Sequence, residues 1–516
     1  MAMFSDRERI FFSVFAPLLF LMTSVAGRAD DSSECDPDVC RTVKLNQPQL
    51  FVDDDLIENR YNEKFLSSRV PHVRHAAKRG PPIITPDPDK PWEKDGLGYL
   101  SVVYDAEAEL FRLYYQVVVR PEQKGTPGYP NTTYCIAYAE SRNGVEWTKP
   151  LFDLIPWGDI KRTNIILQGK NEAHAPHVQI RPPVQLGRVR NIGALPAGAF
   201  RGNRFLMYCS DHPHFLSTAE DGVRFKIRQQ QVTPRRIDCH QSLVFDEERG
   251  EFVTFLRNKM IFGGRTGTLK KANHRMVTRL SSSELWTVWR RMPTTVILPD
   301  AGDAERFYAM PTFRYGGIYF GFLHHLQQKP MTVEVELVTS RDGFRWDRSP
   351  TRAKIIAVGE PPAWDHGMVY SADRVIENGD EWWLYYSGHN DYHDEGDGYG
   401  SVGLLRFRKE GFISVRADEE GGDSYLVTRP FRWPGGDLVV NADASGGHLA
   451  VRVTDFRRDQ IGEFSYDDCE VFRGDSVRHR MKWKTVDIRD LKGQLVRLEF
   501  RFVKADLYAF VAQERD

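Results

Sequence analysis

Apolar and polar positions along this chain alternate in short runs, and the runs come in pairs. Tyr99–Tyr104 and Leu110–Tyr115 are apolar stretches joined by the polar turn Asp105-Ala106-Glu107-Ala108-Glu109. The plan returns as Ser242–Phe245 and Phe252–Leu256 around Asp246-Glu247-Glu248-Arg249-Gly250. It returns again as Thr312–Tyr315 and Ile318–Leu323 around Gly316-Gly317, and as Met368–Val375 and Trp382–Tyr386 around Glu377-Asn378-Gly379-Asp380. A weaker copy ends in Arg204–Cys209. Such pairs predict antiparallel strands, and no convincing amphipathic helix lies between them.

A second pattern marks where each group of strands ends. A β-rich run closes on a small polar residue, an acid or amide, a glycine, two residues and an aromatic. It reads Ser141-Arg142-Asn143-Gly144-Val145-Glu146-Trp147, then Ala219-Glu220-Asp221-Gly222-Val223-Arg224-Phe225, then Ser340-Arg341-Asp342-Gly343-Phe344-Arg345-Trp346. Ser281-Ser282-Ser283-Glu284-Leu285-Trp286 is a degraded copy, and Lys409-Glu410-Gly411-Phe412 reads as a fifth. Asn-Gly and Asp-Gly supply the positive φ of a tight turn, and the aromatic is placed to pack between units. Self-similarity at this period in an all-β chain predicts a β-propeller, and five copies predict five blades. The blades fall near 95–150, 160–230, 236–292, 300–350 and 360–415.

After Glu419-Glu420-Gly421-Gly422-Asp423 the pattern becomes strict alternation. Val496, Leu498, Phe500 and Phe502 interleave with Arg497, Glu499 and Arg501, and Leu449, Val451 and Val453 behave alike. One apolar and one charged face predicts a C-terminal antiparallel β-sandwich over 420–516. The propeller then spans 91–419, preceded by a leader and propeller-closing segment at 30–90.

Composition refines this picture. A formal net charge of −1 over 516 residues argues against a nucleic-acid partner bound by phosphate neutralisation. The 11 Trp and 20 Tyr suit packed blades and sugar platforms alike. Ile10–Ala26 is apolar and is followed by the small residues Gly27 and Ala29, so residues 1–29 read as a signal peptide cleaved before Asp30. A retained anchor is the alternative, because Asp6 and Glu8 offset Arg7 and Arg9. The mature protein is expected to be secreted or periplasmic and free of the membrane. Cys35 and Cys40 are near enough in sequence to bridge a small loop, while Cys135, Cys209, Cys239 and Cys469 read as mostly buried thiols. Asn131-Thr132-Thr133 fits a glycosylation acceptor. Oligomeric state is not readable.

Several stretches carry a family resemblance. They are Pro91-Trp92-Glu93, Tyr138-Ala139-Glu140-Ser141, Asp238, Glu305-Arg306-Phe307-Tyr308, Thr428-Arg429-Pro430-Phe431, Asp467-Asp468-Cys469, Arg473-Gly474-Asp475-Ser476 and Ala505-Asp506-Leu507-Tyr508-Ala509-Phe510. On these the chain resembles secreted bacterial proteins similar to glycoside hydrolase family 32, the group of invertases and levanases. The resemblance implies a five-bladed propeller glycosidase with a supporting sandwich. The invertase motifs Asn-Asp-Pro-Asn, Arg-Asp-Pro and Glu-Cys are absent, and the first would fall near Gly98–Ser101, which has no carboxylate. Fructan specificity is therefore not implied.

Glycoside hydrolysis needs two carboxyl groups, one donating a proton and one acting as nucleophile or base. Residues just before each inner blade strand converge on the propeller axis. Here they are Glu93 or Asp95, His174 or His177, Asp238 and His240, Asp303 or Glu305, and Asp365 and His366. The expected catalytic set is Glu93, Asp238 and Glu305. Glu305 is the general acid, by its likeness to the family's acid position; Asp238 is the ionised stabiliser and Glu93 the nucleophile or base. The expected sugar-binding set is Asp365, His174, His240, His366, Trp92 and Tyr308. No catalytic metal or cofactor is expected. The loop His389–Asp397 reads as a solvated acidic loop, with a structural Ca²⁺ as its alternative. Two other functions fit: a non-catalytic carbohydrate-binding propeller, and a glycoside phosphorylase using His174, His177 and Arg306 for phosphate.

Overall fold

The computed structural model describes residues 39–62, 69–71, 80–182, 187–210, 213–233, 240–259, 275–303, 306–327, 329–348, 352–393, 399–417 and 422–515. Residues 39 and 40 belong to a small N-terminal unit, and 41–516 form the main one. Cys40 is disulfide-bonded, while Cys35 and Cys239 lie outside the described residues. Cys135, Cys209 and Cys469 are free and buried.

Strands and three short 3₁₀ turns make up the described secondary structure. Four-stranded antiparallel units follow one another along the chain. Gly98–Asp105, Leu110–Val118, Tyr134–Ser141 and Ile165–Gln168 form the first. His174–Ile180, Phe205–Ser210, Phe215–Ala219 and Lys226–Gln229 form the second. The third runs through Leu243–Asp246, Glu251–Lys259, Arg275–Ser282 and Thr294–Ile297. In the fourth, Arg306–Ala309 and Thr312–Tyr315 flank Ile318–Leu326, which pairs with Val333–Ser340. The fifth pairs Met368–Ser371 with Glu381–His389 and Gly400–Arg408. Its outer edge is completed by Ile83 and Ile84, whose backbone bonds to Val402.

The repeated turn has one geometry. Gly144, Gly222 and Gly343 all sit at φ 73–74°. In each, the preceding Asn143, Asp221 or Asp342 accepts two backbone N–H bonds through Oδ1. A side chain at Gly144 would collide with Trp383 and Tyr385 of the fifth unit. The aromatic that ends each turn packs on the unit before it. Phe225 meets Tyr114, Trp286 donates to the Ala199 carbonyl, Trp346 meets Phe255, and Phe412 meets Phe320 and Phe322. Trp147 of the first unit meets Tyr385 of the fifth, so the order of contacts is cyclic.

Two further sheets share a separate core containing Leu438, Val440, Leu449, Val451, Leu498, Phe500 and Phe510. They extend beyond the predicted 420–516. Gln49–Leu50 and Ile413–Arg416 both pair with Asp506–Gln513, and Ile57–Asn62 pairs with Ser424–Thr428. The segment read from sequence as a leader thus supplies strands to the C-terminal sheets. These strands are too short or too irregular to show the alternation seen in Leu495–Val503 and His448–Thr454.

Buried charges tie the C-terminal sheets to the repeated units. Glu410, 1% exposed, accepts from both Arg478 Nη atoms (2.5 and 2.7 Å) and from Tyr315 Oη (2.5 Å). Arg341 forks onto Asp53 at 2.8 and 2.9 Å. Deleting 420–516 would strip Glu410 of Arg478 and leave Phe51, Leu56 and Ile57 without their core. The truncated protein is expected to aggregate, as read by light scattering. A soluble, monomeric and fully active truncation would show that the domain is an independent module.

Candidate functional site

Inner strands of the repeated units bring a group of rings together. Tyr99 lies at a β-bulge in the first inner strand, with φ of 36°. Ala175 in the second inner strand has φ of 50°. Bulges re-aim side chains, and non-glycine residues in this region store strain that surrounding packing must hold. Tyr99 meets the edges of His174 and His240 at centroid distances of 5.0 and 5.2 Å and Tyr370 at 4.9 Å. Its hydroxyl donates to Tyr308 Oη at 2.8 Å. His240 adjoins His324 at 5.4 Å, and Tyr370 adjoins Tyr308 and His389. All five units contribute, in the order Tyr99, His174, His240, Tyr308 with His324, and Tyr370 with His389. Arg257 and Arg275 place their guanidinium groups over Tyr308, at 4.4 and 5.3 Å.

His240, His324 and His389 are held neutral. Burial drives His240 down to about 3 and His389 to about 4, and His324 well below its ordinary value. Arg257, His174 and His177 face His240 and add to the effect, while Asp373 opposes it. Among the described residues, both ring nitrogens of His240 lack a hydrogen-bond partner although the residue is 1% exposed, and so does Nδ1 of His324. Leaving such groups unpaired costs about 1–3 kcal/mol each. A neutral imidazole offers one donor and one acceptor, which suits sugar hydroxyls, and the surrounding rings suit the C–H faces of a sugar.

A buried polar cluster adjoins this group. Asp373 is fully buried, accepts from Ser101 Oγ (3.2 and 3.1 Å) and Arg374 (2.7 Å), and pairs with His177. Burial pushes Asp373 upward, but Arg374 and His177 pull harder and leave it below the usual carboxylate range. His177 is thus engaged in this cluster.

Buried imidazoles fix the sign of a pH effect. His177, His240, His324 and His389 have lowered folded values, so near pH 6.5 the unfolded chain takes up protons and the folded one does not. Stability is therefore full above about pH 6.5 and falls as pH drops, by up to about 1.4 kcal/mol per pH unit for each such group. The urea midpoint is expected to fall between pH 7 and pH 5. A flat profile would show that these rings take up protons in the fold as readily as in the unfolded chain.

His174, His240 and Tyr308, three of the residues expected to bind sugar, lie together in this group. Asp238 and Glu305 lie outside the described residues, but their neighbours do not: His240 and Tyr308 both touch Tyr99. Glu93 requires correction. It is fully buried, accepting from Tyr115 Oη (2.5 Å), Lys149 Nζ (2.6 Å) and the Asp87 backbone N–H (2.9 Å). Its carboxylate is spent on the structure between strands. Trp92 is corrected likewise: it is 3% exposed, and its indole N–H donates to Asn164 Oδ1 at 2.7 Å. Asp365 is buried and accepts from Tyr386 Oη at 3.1 Å, packed against Gly388 next to His389. His366 hydrogen-bonds the Ala363 carbonyl through Nδ1 and faces Tyr392. Asp95 pairs with Arg120.

Sequence reasoning missed Tyr99, Tyr370 and His324, and read His389 and His393, whose ring meets Tyr308 at 5.2 Å, only as parts of an acidic loop. The available signals were His324-His325 inside an otherwise apolar strand and the four-residue spacing of His389 and His393. Among the described residues, Asp303, His325 and Glu336 have ligating atoms within 4.8 Å of one another. Arg348 already bridges Asp303 and Glu336 at 2.7 and 2.6 Å, so a guanidinium occupies the place of a cation. In the loop proposed as a Ca²⁺ alternative, Asn390 Oδ1 accepts the Tyr399 N–H, and residues 394–397 lie outside the described residues. No described helix is long and apolar enough to cross a membrane.

The chain matches no protein-family model and no curated protein. Among solved structures it is similar to a thermostable family-43 glycoside hydrolase, at 15% identity over 63% of this chain and 93% of that one, with a TM-score of 0.40. It is similar to the catalytic domain of the Coprinopsis cinerea GH62 α-L-arabinofuranosidase, at 12% identity over 63% and 94%, with a TM-score of 0.41. A third is from the GH130 family of mannoside phosphorylases, which contains glycoside hydrolases that target β-1,2 mannosidic linkages in Candida mannan. There the identity is 11% over 68% and 97%, with a TM-score of 0.40.

Proposed function

We propose that this chain is an exported glycoside hydrolase, a five-bladed β-propeller of family-32-like type acting on poly- or oligosaccharides. The cyclic order of turn contacts supports the ring of five. The observation that carries the function is the meeting of Tyr99, His174, His240, Tyr308 and Tyr370 from all five units. Asp238 and Glu305 stand two and three residues from members of that group. In this reading Glu305 protonates the leaving oxygen, and Asp238, ionised, serves the sugar carbon directly or through water. His174 and His240 hold hydroxyls, and Asp365 and His366 support the rim. The disulfide at Cys40 suits an oxidising compartment, and the mature chain would begin near Asp30.

Phosphorolysis needs cations for phosphate, and Arg257 and Arg275 over Tyr308 are the candidates, whereas His177 is tied to Asp373. The test is a panel of plant, algal and microbial polysaccharides incubated with the protein, with and without phosphate, and read as new reducing ends. Release without phosphate is expected. Release only with phosphate would make the protein a phosphorylase, and binding without release would make it a carbohydrate-binding propeller.

A further inference from the structure

A pocket of about 580 Å³ opens between the closing segment and the fifth unit. Pro82, Pro86, Pro88 and Pro91 wall one side of it. Trp364 and Tyr399 contribute aromatic surface, and Asn390 and Lys94 contribute polar groups. Trp364 is fixed from behind, where it stacks on Tyr386 at 5.5 Å with 29° between planes. Tyr399 is 56% exposed. Its backbone N–H holds Asn390 through Oδ1 (2.7 Å), and among the described residues neither the Asn390 amide nitrogen nor the Lys94 ammonium has a partner.

The segments that line this pocket lead along the chain into the axial group. Asn390 follows His389, whose ring meets Tyr370 at 5.7 Å. The Leu97 N–H, two residues before Tyr99, donates to the Gly400 carbonyl next to Tyr399 at 2.9 Å. Its volume is that of a small-molecule site, mostly apolar with a few polar groups at its edge. A sugar ring fits this chemistry: its C–H face lies on an aromatic ring while its hydroxyls reach an amide and an ammonium. A protein partner would seek a broader and flatter surface.

We propose that this pocket is a distal sugar subsite, which holds a ring of the same glycan chain whose scissile bond lies at the axial group. The protein then acts on chains and discriminates against disaccharides. The inference rests on the glycosidase reading above.

The test is native affinity electrophoresis of the full chain in gels containing arabinan, xylan, mannan, rhamnogalacturonan or homogalacturonan. The wild type and an Asp238→Asn/Glu305→Gln double variant are expected to be retarded by at least one of them. Trp364→Ala and Tyr399→Ala should each weaken that affinity about 10-fold, raising KM on the same polysaccharide with kcat unchanged. Tyr399→Ala is the safer arm, because the ring is largely exposed and its loss leaves the core intact. Retardation by none of the five, or unchanged retardation in both pocket variants, overturns the subsite. Retardation that depends on the pocket, with turnover by no form of the protein, upholds the subsite and overturns the glycosidase reading.

Discussion

Glu305→Gln is expected to lower turnover by about 10²–10⁴, with the smallest loss on substrates that carry a good leaving group. A glycosidic oxygen is a poor leaving group until protonated, so removing the proton donor matters most where the bond most needs it. Glu305 stands beside Arg306–Ala309, whose Tyr308 packs under Arg257 and against Tyr99 and Tyr370. A carboxyl partly withdrawn from water holds its proton toward neutral pH. Asp238→Asn should cost a similar factor but affect natural and activated substrates alike, because it removes the charge that meets the sugar carbon. Near wild-type rates in both variants, with intact folds by near-ultraviolet circular dichroism, would place the chemistry elsewhere.

Glu93→Ala is expected to act on stability and to spare the chemistry. Its carboxylate holds Lys149, Tyr115 and the turn at Asp87 together, and Tyr115 in turn accepts from Asn164 Nδ2 at 2.6 Å. Removing one member of a buried ion pair leaves the other uncompensated, which typically costs 3–5 kcal/mol. Lys149 is 11% exposed and has some access to water, so a loss of about 3 kcal/mol is expected. Urea denaturation should show a lower midpoint, while kcat per folded molecule stays at the wild-type value. A normal midpoint with collapsed turnover would return Glu93 to the catalytic set.

The contrast between these two glutamates marks how far a sequence can be read. The turns at Gly144, Gly222 and Gly343 were legible because positive φ and a following aromatic are written locally. Val496, Leu498, Phe500 and Phe502 were legible because alternation over one strand reveals a buried face. Glu93 was not, because its meaning depends on Lys149, 56 residues away and in another segment. Tyr99 was passed over in a search for a carboxylate at the first inner strand; its left-handed backbone, which turns it toward His174 and His240, leaves no mark in composition. The short strand Gln49–Leu50 was hidden for a related reason. Two residues carry no period, and its identity as a strand comes from a distant partner.

That partner has a consequence for biosynthesis. Gln49 pairs with Phe510 and Ile57 with Thr428, so the first strands made wait for some of the last. At about 5–20 residues per second, a delay of some 460 residues is roughly 20–90 s. Through that interval a ribosome-bound nascent chain presents Phe51, Leu56 and Ile57 with their eventual cover not yet synthesised. Chaperone engagement during translation should concentrate on this early segment and end only when the final strand emerges.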